Sequence, residues 1–231
     1  MPLISITNTQ NKNYMSYYET LLLVYLSISA ICCTVVSWCL PKYKNTPLVL
    51  APVILWLGLL AEISGTLYSH FIEISNGWIF NSYHILYFIL LYTLVYKYLK
   101  KANFKKWLFI LGSLALLVHI YCFFSASSFN DRLIYANAFL VFVLLIACTF
   151  YMVELMQRKT SFDSKNHPEL NLLGGYLIFQ LIYTPLFVAF DMNLHIFSGE
   201  FYTFLFSMQA YVLIAMNLYF MYTFIWMKKA H

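Results

Sequence analysis

Charge is what this chain has least of. Its 231 residues hold 14 Lys and Arg and 9 Asp and Glu, 10% of the total, where a soluble globular domain carries about 25%. Hydrophobic residues reach 62%. An aqueous core cannot absorb that much apolar surface, and the excess would form contiguous sticky patches. Little charge and much apolar bulk together exclude a soluble domain and a disordered chain. Cysteine is missing where a disulfide would need it. Cys32, Cys33, Cys39, Cys122 and Cys148 all fall inside apolar runs, which excludes an extracellular disulfide framework. The apolar–polar alternation of a barrel strand is also lacking. An all-α, polytopic membrane protein remains.

What is present is a series of long apolar runs. A helix needs about 20 mostly apolar residues to cross the hydrocarbon core, and reading between the charges predicts seven transmembrane helices. They cover residues 20–40, 47–72, 78–96, 107–124, 133–153, 170–190 and 201–227. The first loop holds Lys42 and Lys44, and the third holds Lys97, Lys100, Lys101, Lys105 and Lys106. Arg158, Lys159 and Lys165 follow helix 5, and Lys228 and Lys229 follow helix 7. Twelve of the fourteen basic residues thus fall on one side, leaving Lys12 and Arg132 on the other. The positive-inside rule predicts an external N-terminus and a cytoplasmic C-terminus. Residues 1–18 read as a polar extracytoplasmic tail, 19–227 as the bundle and 228–231 as a cytoplasmic tail. The first stretch lacks the pattern of a secretory signal peptide, so helix 1 is expected to stay as a signal anchor.

The net charge of +5 is accounted for by basic residues meeting anionic lipid headgroups. The bilayer is therefore the expected partner. Nothing resembles a nucleic-acid recognition motif, no cofactor is expected, and no protein partner is legible.

Ionisable residues at membrane depth are site candidates by default. Glu62 is the one charged residue well inside a predicted helix, and its face continues through Gly58, Gly65, Thr66 and Ser69. Asn81 and His84 descend one face of helix 3, and Asn137 enters on helix 5. Helix 6 carries Tyr176, Gln180 and Thr184 at spacings of four, and helix 7 carries Gln209 and Asn217. Most of these lie in the half away from the basic loops, which predicts a cavity opening outward. The expected ligand-binding set is Glu62, His84, Asn81, Thr66, Gln180, Gln209 and Asn137. Zinc wants three or four His, Cys or carboxylate ligands. His70, His84, His119 and Asp191 are the available candidates, without a diagnostic spacing, so no metal is expected.

Several seven-helix families carry motifs of their own. Microbial rhodopsins hold retinal on a lysine of the last helix, and residues 201–227 contain none. Sugar transporters of three-plus-one-plus-three helices share the topology. Pro52 and Pro185 occupy corresponding helices of two halves, but the Pro-Gln signature of that family is missing. Hydrolases of the ceramidase and adiponectin-receptor type carry His-x-x-x-His on the final helix, where Gln209–Asn217 has no histidine. In Glu62, the Asn81-Ser-Tyr-His84 entry to helix 3 and the basic turn after it, the chain resembles small seven-helix inner-membrane proteins of Bacteroidota-type bacteria. That resemblance implies a bacterial cytoplasmic membrane and supplies no activity. The expected function is a receptor-like or accessory protein, more a binder than an enzyme, holding a small or lipidic ligand in its cavity. A small-solute or proton-coupled transporter is the first alternative, and a metal-dependent intramembrane lipid hydrolase the second.

Overall fold

The computed structural model describes residues 8–72, 76–126, 128, 133–157, 168–192 and 199–226. Among them the regular structure is wholly helical. The seven α-helices are α1 (Asn8–Cys39), α2 (Leu50–Ile72), α3 (Gly77–Tyr98), α4 (Ala102–Ser125), α5 (Ile134–Met156), α6 (Pro168–Met192) and α7 (Gly199–Trp226). Single 3₁₀ turns at Leu40–Lys42 and Pro47–Val49 carry the chain from α1 into α2. Arg132, Arg158, Lys159, Lys165, Lys228 and Lys229 lie outside the described residues.

Among the described residues, six helices, α1 to α5 and α7, are long and apolar enough to cross a membrane. Large apolar side chains point outward from the described bundle, among them Trp38, Phe71, Phe109, Tyr121 and Phe124. Apolar side chains around the whole circumference are stable only in lipid. The chain is a multi-pass helical membrane protein.

Every helix overruns or shifts the limits read from the apolar runs, because a charge ends a hydrocarbon span without ending a helix. α1 begins at Asn8 rather than near Thr20, so the polar segment expected as a tail continues the helix. α4 begins at Ala102, ahead of Lys105, Lys106 and Trp107. α5 runs on to Met156 and so includes Glu154.

Six helices form a closed ring. α1 packs on α2, α2 on α3, α3 on α5, α5 on α6, α6 on α7, and α7 returns to α1. α4 stands outside that ring. Although only a short connection separates it from α3, its main neighbour is α5, and it touches α3 much less. The α3–α4 contact is carried by a close approach, where the Tyr92 hydroxyl donates to the Leu108 carbonyl. A Cβ on Gly112 would lie 2.7 Å from the Tyr92 ring. Phe104 stacks on Phe150 at 5.0 Å to hold α4 to α5.

One end of the ring is densely packed. Tyr43, Leu48, Leu94, Leu99, Tyr151 and Phe224 are all at most 1% exposed there. The Tyr43 hydroxyl donates to the Phe224 carbonyl at 3.3 Å, and its ring meets that of Phe224 edge-on at 5.6 Å. Lys42 donates to the carbonyl of Ile225 at 3.4 Å, placing a cation at the negative end of α7. Lys44, Lys97, Lys100, Lys101, Lys105 and Lys106 belong to the same end, with Lys101 reaching Gln157 at the close of α5.

Two carboxyl or carboxamide groups tie the helix starts together. Glu154, 1% exposed, accepts from the Lys100 backbone N–H with both oxygens, at 2.9 and 3.1 Å, and from that of Lys101 at 3.1 Å. A carboxylate on α5 thereby satisfies the connection that opens α4, near the positive end of its dipole. At the opposite end Asn81 Oδ1 accepts from the Leu133 N–H at 3.1 Å, where α5 begins.

Candidate functional site

Inside the ring lies a cavity of about 540 Å³, within the range of small-molecule sites. Every ring helix contributes to its wall, and α4 contributes nothing. The lining descends to Ala51, Leu91, Leu172 and Phe220, where the packed core of the lysine end takes over. In the other direction it reaches Glu19, which is exposed.

Five of the seven expected ligand residues meet in this cavity: Glu62, His84, Asn137, Gln180 and Gln209. They come from α2, α3, α5, α6 and α7, far apart in sequence, and only the ring closure assembles them. Glu62 is the thirteenth residue of 23 in α2, just past the middle of that helix. Its neighbour Gly58, one turn nearer the lysine end, leaves room for the Tyr83 hydroxyl, which would sit 3.4 Å from a Cβ at that position. His84 lies on the same wall of α3, its ring 5.2 Å from that of Tyr83. Gln180 Oε1 accepts from Thr184 Oγ1 at 3.2 Å. Asn217 donates to Ser29 Oγ at 2.9 Å and to the Leu213 carbonyl at 3.0 Å, so it fastens α7 to α1 while facing the cavity.

Three lining residues present buried polar atoms with no hydrogen-bond partner among the described residues. These are Asn137 Oδ1, the Tyr176 hydroxyl and Gln209 Nε2. Buried polar groups without a partner are rare in folded proteins, and here each belongs to a residue bordering empty volume. A molecule in the cavity would supply what they lack.

Asn81 and Thr66 fall elsewhere. Asn81 is buried behind the wall, where its Oδ1 takes the Leu133 N–H and, at 3.4 Å, the Asn137 amide. It therefore orients a lining residue. Thr66 is half-buried above the cavity, next to Gly65, whose carbonyl accepts from Asn76 Nδ2 at 3.0 Å. His119 is fully buried on α4, beside Ala136 of α5 and outside the cavity. The side chains of His70 and Asp191 lie outside the described residues. Among the described residues no three His, Cys, Asp or Glu side chains converge as metal ligands.

Of the lining tyrosines the sequence singles out only Tyr176, on the polar face of helix 6. Tyr25, Tyr83, Tyr87, Tyr176 and Tyr183 all line the cavity. Tyr83 and Tyr87 lie 5.4 Å apart and Tyr87 and Tyr176 6.0 Å apart, ring to ring. Tyr25 and Tyr83 are within electrostatic range of the Glu62 carboxyl group, and both are within range of Tyr183. The usable signal was the spacing of four between Tyr83 and Tyr87, but among 20 tyrosines no one pair stands out.

Comparison with protein-family models, with curated proteins and with solved structures finds no match.

Proposed function

We propose that this protein binds a small or lipidic molecule in the ring cavity, as a receptor-like or accessory component of a bacterial cytoplasmic membrane. In this reading all seven helices span the bilayer. The lysine end is cytoplasmic, by the positive-inside rule, and the cavity faces outward. Glu62 and His84 are the polar anchors for the ligand. Asn137, Gln180 and Gln209 complete the polar lining.

One observation carries the reading: polar groups from five ring helices converge on a single cavity closed off by packed core at the lysine end. Water-facing residues near helix ends would be scattered around the bundle, whereas these share one volume. A ligand-induced thermal shift tests it, since a molecule that binds only the folded state raises its stability. Ala138, on the α5 wall, provides a blocking site. Ala138→Trp should keep the fold and abolish the shift, and Glu62→Gln should weaken it. Full binding in both variants would remove the cavity from consideration.

A second reading, transport of a small solute, is favoured by the order of the ring. Moving each of α1, α2 and α3 to α5, α6 and α7 reproduces the same pattern of neighbours, with α4 as a spacer outside. Repeats of that kind place substrate sites at their interface, and rocking of one half against the other gives alternating access. Uptake of a bound ligand into proteoliposomes would favour this reading over a receptor. The hydrolase alternative has no assembled metal-ligand set among the described residues.

A further inference from the structure

We propose that the ligand of the ring cavity is an organic cation, an alkylated or quaternary ammonium compound, held by the Glu62 carboxylate inside a cage of tyrosines. The proposal rests on the reading of this cavity as a ligand site and names the class of ligand. Among the described residues, two carboxyl groups, Glu62 and Glu19, line the cavity, and no lysine or arginine does. All the described lysine side chains are at the packed end, beyond the cavity floor. Both glutamates attract a cation, and an anionic ligand would meet repulsion from both.

The wall chemistry narrows the cation further. Tyr25, Tyr83, Tyr87, Tyr176 and Tyr183 come from α1, α3 and α6, and three of them form a continuous run with rings 5.4 and 6.0 Å apart. Aromatic faces carry negative electrostatic potential and attract ammonium groups whose charge is spread over alkyl surface. A small inorganic ion instead needs a tight shell of oxygen ligands, and a cavity of about 540 Å³ is far too wide to supply one. Its volume suits an organic body. A neutral lipid chain would fill the same space and gain nothing from Glu62.

Choline and its neutral carbon isostere, 3,3-dimethylbutan-1-ol, separate charge from shape, and a series from tetramethyl- to tetrabutylammonium scans size. Binding is read by thermal shift and calorimetry on the protein in nanodiscs. At least one cation of the set should stabilise the wild type, with choline or its nearest binding homologue at least tenfold tighter than the neutral isostere. Glu62→Gln should weaken the cation tenfold or more and leave the isostere unchanged. Tyr83→Leu should weaken the cation, and Tyr83→Phe, which keeps the ring, should retain it. Equal affinity for cation and isostere, or an unchanged cation affinity in Glu62→Gln, overturns the proposal. If Glu62→Gln fails to fold, the wild-type ratio of cation to isostere decides alone. Binding of the isostere or of a neutral lipid without the cation overturns only the cation assignment. Failure of cations, isostere and extracted lipids alike overturns it together with the ligand-site reading.

Discussion

Removing the Glu154 carboxylate should destabilise this protein more than any change in the cavity. The group is 1% exposed and accepts three hydrogen bonds from the Lys100 and Lys101 backbone. Hydrogen bonds to charged groups contribute about 1.5–3 kcal/mol, and a buried N–H left without an acceptor costs about 1–3 kcal/mol. Glu154→Gln keeps the volume but loses the charge and one of the two acceptor oxygens, which should cost about 2 kcal/mol. Glu154→Ala strands two N–H groups and opens a hole, for a cost of about 3–5 kcal/mol. Reversible unfolding in mixed micelles with increasing SDS measures both. Because the bonds open α4, a thiol probe at Trp107→Cys should become more mobile in Glu154→Ala before the ring itself unfolds. A Glu154→Gln protein within about 0.5 kcal/mol of wild type, the range of an ordinary surface change, would refute the capping role.

Gly175 offers a test of ring packing, since a Cβ there would collide with the Tyr219 ring of α7. Gly175→Ala should cost about 1–3 kcal/mol by overpacking, and Gly175→Ala with Tyr219→Leu should recover part of it in a double-mutant cycle. For orientation, Lys101→Cys should be labelled by an impermeant thiol reagent only from the cytoplasm, and Ser5→Cys from outside. The native Cys32, Cys33, Cys39 and Cys148 are buried, and the partly exposed Cys122 is replaced by serine to lower background; labelling of Lys101→Cys in intact cells would reverse the topology. Glu62→Gln should shift stability by only about 1 kcal/mol, so a collapse of the fold would make Glu62 a structural group.

The helices were readable because the bilayer imposes one criterion, apolar length, on every span. Their ends were less so. The apolar run ends helix 5 ahead of Glu154 because a charge marks the end of a hydrocarbon span, whereas a carboxylate satisfied by backbone donors is tolerated there. Asn81 shows the converse: a polar residue on the right face of the right helix was read as a ligand contact, yet its oxygen caps the next helix. The place of α4 outside the ring was not legible. A membrane helix is apolar toward both lipid and protein, so no amphipathic stripe marks the side that packs. The five residues that do meet in the cavity were found because polar side chains within apolar runs are informative one by one. Tyrosines apart from Tyr176 are not.

The closure of α1 onto α7 bears on how the protein is made. Chains leave the ribosome at about 5–20 residues per second, and α7 follows α1 by some 160 residues of sequence. Until it arrives, the other ring helices can form only an open arc. Ser29 then faces lipid without the Asn217 amide, and Tyr17 without the Tyr211 hydroxyl it meets at 3.1 Å. The half-made molecule is therefore a polar-lined furrow exposed to the bilayer, the kind of intermediate that membrane quality control is built to see. Once α7 inserts, Asn217, Tyr211, Phe224 and Ile225 engage α1 and its following turn together. Surveillance and completion thus turn on one seam, and a lesion along it would lower the amount of protein before it altered what the finished protein binds.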